Sequence, residues 1–105
     1  MANQIHLRVL TEAGVVLDEE AASVIAPGER GYVGFLRRHA PLVTTIQPGK
    51  LTWRTGEGLV RVARVGAGLL EILHDRLTLL TDSVQMLEDG AGSVGGASIL
   101  AARRS

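Results

Sequence analysis

Cysteine is missing from all 105 residues, so neither a disulfide framework nor a thiolate metal centre is available to hold this chain together. Aromatic residues are nearly missing as well. One Trp, one Tyr and one Phe leave the core to Val, Leu, Ile and Ala, and they are too few to interleave with basic residues as a base-stacking platform requires. No charge of one sign prevails, because eleven basic residues cancel eleven acidic ones. A nucleic-acid binder normally carries a basic excess to neutralise phosphates, so nucleic acid is not expected as a partner. No apolar run approaches the roughly 20 residues that a spanning helix needs. The first residues, MANQIHLRVL, lack the basic-then-apolar build of a signal peptide. The expectation is a cytoplasmic chain without direct membrane insertion, which can still work at a membrane by joining something that spans it. Lysine is reduced to Lys50, and ten of the eleven basic residues are Arg. That favours fixed, forked contacts to carboxylates wherever an arginine meets a partner.

What is present is a globular composition, 46% hydrophobic and 21% charged, in a length suited to one domain with a two-sheet core. Ile5, Leu7 and Val9 alternate with His6 and Arg8, the period of a half-buried strand. A turn at Thr11–Gly14 leads into Val15–Leu17, which makes a hairpin. His6 falls on the polar face and reads as a solvated residue. Asp18, Glu19 and Glu20 read as a solubilising strand end, since adjacent strand residues face opposite ways and no nucleophile is near in sequence. Further strands follow at Ser23–Ala26, Tyr32–Leu36 and Leu42–Ile46. Lys50–Arg54 and Leu59–Val65 flank the turn Thr55-Gly56-Glu57-Gly58, the clearest hairpin of the chain. Arg61 and Arg54 read there as a charged outer face, and Trp53 as core or sheet-edge packing. Leu69–Leu73 and Arg76–Asp82 complete the series. Strands at this spacing predict an all-β fold, a flattened sandwich or barrel of about nine or ten mostly antiparallel strands.

The three prolines and three close glycines gather in Ala26–Pro48, APGERGYVGFLRRHAPLVTTIQP, a string of tight corners between short strands. Corners display residues to partners, which singles out Arg30, Tyr32, Arg37, Arg38 and His39. No P-loop follows these glycines. His39 has no nucleophile and orienting acid spaced to form a triad, so it reads as a structural hydrogen-bonding residue. The histidines lie on separate elements without a second ligand at zinc spacing, so neither a metal nor another cofactor is expected. Gly90-Ala91-Gly92-Ser93-Val94-Gly95 spells Gly-x-Gly-x-x-Gly. The chain ends ten residues later, before the second strand and acidic residue a dinucleotide site needs. The division expected is a β domain over 1–87 and a glycine-rich linker with a short helical or disordered tail over 88–105.

Within the corner-rich stretch, Pro27-Gly28, Glu29-Arg30-Gly31-Tyr32-Val33-Gly34, His39-Ala40-Pro41-Leu42 and Pro48-Gly49 occur in order. Gly66-Ala67-Gly68-Leu69-Leu70-Glu71-Ile72 and Leu79-Leu80-Thr81-Asp82-Ser83 follow farther on. Together these motifs resemble the N-terminal β-sandwich domain of the epsilon subunit of F-type ATP synthases, from about Ile5 to Val84. The resemblance implies a non-catalytic rotor subunit, peripheral to the cytoplasmic face of a bacterial plasma membrane, that ties the gamma subunit of the central stalk to the membrane c-ring. It puts Arg38, His39, Ala40 and Pro41 at the gamma contact, and Glu29, Arg30, Gly31 and Tyr32 at the c-ring contact. The chain departs from the family pattern where Tyr32 replaces an acidic residue and Arg37-Arg38 replaces Pro-Gly. Its remaining length is too short for the helical hairpin that usually follows, so inhibition by that hairpin is not carried over. Two other readings are a free-standing small β-barrel binding a ligand or peptide at the glycine corner, and an enzyme using Asp18, Glu20 and His39.

Overall fold

The computed structural model describes residues 4–87. The tail 88–105, with Gly90–Gly95 and the helix-capable stretch after it, lies outside the described residues. Ten strands follow one another: β1 (Ile5–Thr11), β2 (Gly14–Ala21), β3 (Ser23–Gly28), β4 (Gly31–Leu36), β5 (Leu42–Ile46), β6 (Gly49–Arg54), β7 (Val60–Val65), β8 (Gly68–Leu73), β9 (Arg76–Thr81) and β10 (Val84–Met86). The expected all-β fold is what forms. The strand that sequence reading passed over is β10, three residues pairing with β7 at one edge.

Pairing runs β10-β7-β6-β3-β5-β8-β9-β1-β2, with β4 alongside β3. The pairs are antiparallel except β1 with β9, which run parallel. β3 is the hinge between two layers. Its start, Ser23–Ile25, pairs with β6, while its last residue, Gly28, bridges to Ile46 of β5. One residue before β3, the Ala22 N–H donates to the Arg54 carbonyl at 2.7 Å and extends the β3–β6 ladder back to the end of β2.

The period of two sends one face of each strand inward. Ile5, Leu7 and Val9 of β1 meet Leu70 and Ile72 of β8 and Leu77 and Leu79 of β9 in one cluster with Val24, Phe35, Leu51, Trp53, Ala63 and Val65 from the other layer. Each large aliphatic side chain buried this way contributes about 1.5–3 kcal/mol. The buried polar side chain, Thr81, directs its hydroxyl to the carbonyls of Gly66 and Ala67, each 3.0 Å away, which meets the cost of burial. Beside it a Cβ on Gly68 would overlap the Leu80 carbonyl oxygen, so only glycine fits there.

Two expectations are corrected. Asp18 and Glu20 stay exposed near the end of β2, which runs to Ala21, but Glu19 between them is not a solubilising residue. Glu19 turns toward the other layer, where it accepts from Trp53 Nε1 at 2.9 Å and Arg61 Nη1 at 2.5 Å. Arg61 therefore does not belong to the outer charged face. It shares its face of β7 with the buried Ala63 and Val65, and its guanidinium carbon lies 5.7 Å from the Trp53 ring centroid. The long apolar stem and the aromatic face below it let an arginine cap a core that offers a carboxylate at the rim.

Candidate functional site

The eight residues singled out for partner contacts occupy the two ends of β4. Five steps of strand rise separate Gly31 from Leu36, about 17 Å. The structure therefore keeps the two groups apart.

At the first end, β3 and β4 are joined by a two-residue tip, Glu29-Arg30, closed by the pairing of Gly28 with Gly31. Gly31 has φ +127°, a conformation that side-chain-bearing residues avoid. Glu29 is exposed, yet its carboxylate accepts from Thr45 Oγ1 at 3.2 Å and its carbonyl from Gln47 Nε2 at 3.3 Å. The Tyr32 hydroxyl accepts the Lys50 N–H at 3.2 Å, which lays the ring over Gly49. Arg30 projects from the tip with no hydrogen bond or ion pair among the described residues. The tip thus offers a free guanidinium beside a carboxylate that is already tethered.

At the second end, the 37–41 corner leads into β5. Arg38 has φ +71°, and its N–H donates to Asp75 Oδ1 at 2.6 Å. The His39 N–H reaches back to the Leu36 carbonyl at 3.1 Å. Its ring Nδ1 lies 2.7 Å from the Ala40 carbonyl, an acceptor, so Nδ1 carries a proton there. The ring also leans on buried Phe35, with centroids 4.9 Å apart at 54°. The structural reading of His39 is supported by these contacts, and the residue stays half-buried. Ala40 and Pro41 are exposed.

Sequence reading missed Asp75. It sits in the two-residue turn His74-Asp75, both with positive φ, as a tight hairpin of β8 and β9 requires. From there its side chain holds Arg38, and its carbonyl accepts the His6 N–H at 2.9 Å. The turn was legible; its contact with a corner 37 residues away was not.

A second feature escaped as well. Across the outer face of one layer, the register aligns Thr45, Leu69, Leu80, Leu10 and Val15 on five adjacent strands. Leu69, Leu80 and Val15 are 48, 53 and 46% exposed. The doublets Leu69-Leu70 and Leu79-Leu80, apolar on both faces of a strand, were the available signal. The four apolar residues of this row form a candidate interaction surface.

The constellation Asp18, Glu20 and His39 is not assembled: Asp18 bonds to His6, Glu20 lies across from His6 in the β1–β2 register, and His39 belongs to the far corner.

Residues 4–86 match the family described as the ATP synthase, Delta/Epsilon chain, beta-sandwich domain. The chain is 42% identical over 85 residues to an ATP synthase epsilon chain of Moorella thermoacetica, covering 81% of this chain and 63% of that one. It is 38% identical over 105 residues to the ATP synthase epsilon chain of Acidithiobacillus ferridurans, covering 100% and 71%. It thus spans just under two thirds of the Moorella relative. Among solved structures, a chain of the Euglena gracilis mitochondrial ATP synthase, OSCP/F1/c-ring, superposes with a TM-score of 0.77 at 19% identity, covering 82% of this chain and 55% of that one. A chain of the Tetrahymena thermophila mitochondrial ATP synthase central stalk and c-ring superposes at 0.63 and 11%, covering 95% and 84%. At such identities the likeness concerns the fold.

Proposed function

The chain belongs to the ATP synthase delta/epsilon β-sandwich family, and on that premise we propose that it is a non-catalytic central-stalk subunit joining the gamma subunit to the membrane c-ring. In this reading it lies peripherally on the cytoplasmic face of a bacterial plasma membrane and carries rotation between ring and stalk. The observation that carries the reading is the two-ended geometry. Two exposed groups, differently built, terminate one strand that is anchored in the core by Phe35, so a load applied at one end reaches the other through a stiff element. Torque transfer needs such a scaffold with two separate surfaces, not a pocket with a tuned pKa.

The 29–32 tip is assigned to the c-ring, where Arg30 forks onto a carboxylate of a polar loop. The 38–41 corner is assigned to the gamma subunit, with His39 and Pro41 as its contact groups. The apolar row of Leu10, Val15, Leu69 and Leu80 adds support for life inside a hetero-oligomer, since a free-standing barrel leaves it wet.

The test is size-exclusion chromatography of the full chain with the gamma subunit encoded in the same genome, at moderate salt. Stoichiometric co-elution that His39→Ala weakens is the expected result. Separate elution at micromolar concentration removes the stalk role and leaves the ligand-binding barrel as the better account.

A further inference from the structure

A cleft of about 200 Å³ opens on the outer face of the β1–β9 pair, lined by His6, Arg8, Asp18, Arg76 and Thr78. It lies away from the glycine corner and from the β3–β4 tip. The parallel pairing creates it: His6 stands beside Arg76 and Arg8 beside Thr78, so four side chains of two strands share one face. The two arginines sit on a diagonal of that square, about 8 Å apart between Cα atoms from strand spacing and rise.

The donors in this cleft are largely unspent. Neither the Arg76 guanidinium nor the Thr78 hydroxyl has a hydrogen-bond or ion-pair partner among the described residues. Arg8 reaches Asp18 only through Nε at 3.9 Å, which leaves its terminal N–H groups free. Asp18 is the one acid of the lining, and it is already engaged by His6 Nε2 at 2.5 Å. Glu71, opposite Thr78, and Glu20, opposite His6, flank the cleft without lining it. Two like charges facing one opening repel each other, and an anion between them relieves that repulsion.

We propose that this cleft binds a free oxyanion of phosphate size, gripped by the Arg8 and Arg76 guanidinium groups with the Thr78 hydroxyl as third donor. Forked donors match the geometry of phosphate oxygens. The volume falls below the roughly 300–1,000 Å³ of sites for drug-sized ligands, which excludes burial of a whole nucleotide. Occupancy ties β9 to β1 across the parallel pair of the sheet.

The experiment is a titration of the isotope-labelled full chain with inorganic phosphate, followed by amide chemical shifts, with chloride holding ionic strength constant. Saturable shifts confined to residues around 6–8 and 76–78 are expected. Arg76→Met should weaken binding roughly tenfold or more, the loss of one charge-assisted contact. Thr78→Val, close in shape, should weaken it a few-fold. Arg54→Met and Arg64→Met, on exposed positions of the other layer, should leave it unchanged, and the same spectra report that each variant is folded. Shifts that never saturate and spread over all arginines, or an Arg76→Met protein that binds as tightly as wild type, overturn the proposal. Neither outcome bears on the two ends of β4, on which the stalk role is argued.

Discussion

At one end of β4 the 29–32 tip leans on Thr45, Gln47 and Lys50 through three exposed hydrogen bonds of 3.2, 3.3 and 3.2 Å. At the other end the 37–41 corner is fastened to the β8–β9 turn by the 2.6 Å bond from Arg38 to Asp75, and propped on Phe35 through the His39 ring. The tip is therefore compliant and its arginine free. The corner is pre-organised, with two left-handed residues set against each other. A pre-organised surface loses less conformational freedom on binding, so it suits a permanent partner, while a compliant charged tip suits one that it must follow. On the proposed function, the corner meets the gamma subunit and the tip meets the ring.

Breaking the strand that joins the two ends has the largest expected effect. Phe35→Ala removes a fully buried ring between them and should cost about 3–5 kcal/mol in chemical denaturation, with both ends disturbed in amide spectra. Gly31→Ala forces a side chain into positive φ and should cost about 1–3 kcal/mol, with shifts concentrated at the tip and the corner unmoved. Asp75→Ala removes the acceptor of the Arg38 N–H and should cost about 1–2 kcal/mol, with the shift pattern reversed: corner disturbed, tip intact. Asp75→Asn keeps an acceptor oxygen and should recover most of that loss. Arg30→Ala should stay within about 0.5 kcal/mol of wild-type stability, because the side chain is exposed and makes no hydrogen bond or ion pair among the described residues. Its effect should appear only on assembly with the c-ring, as weaker and less salt-sensitive association. If Gly31→Ala and Asp75→Ala disturb the same residues, the ends are not independent and the comparison fails.

Local chemistry was readable from the sequence wherever the period of two or a turn residue set it. The β1–β2 and β6–β7 hairpins, the corner of Arg37–Pro41 and the burial of Trp53 all follow from neighbours in sequence. What was not readable depends on contacts between layers. Glu19 and Arg61 look like surface charges in their own strands, and they become a rim cap only because β2 closes against β6 and β7, 42 residues apart in the case of this pair. Asp75 looks like any turn residue until the fold brings Arg38 to it. The outward row of Leu69, Leu80, Leu10 and Val15 requires the register of five strands, with a bulge between Val9 and Leu10 that resets β2. The parallel β1–β9 pair behind the cleft leaves no local mark, since the two strands are separated by seven others.

On the proposed function, the two ends of β4 engage different partners. The most direct measurement is retention of the gamma subunit on immobilised c-ring in the presence of the full chain, compared among wild type, Arg30→Ala and His39→Ala. Wild type should bridge the two. Arg30→Ala should fail to bind the ring while still co-eluting with the gamma subunit, and His39→Ala should bind the ring while retaining less of the gamma subunit. If both substitutions weaken the same contact, or neither weakens any, the division of labour between tip and corner is wrong.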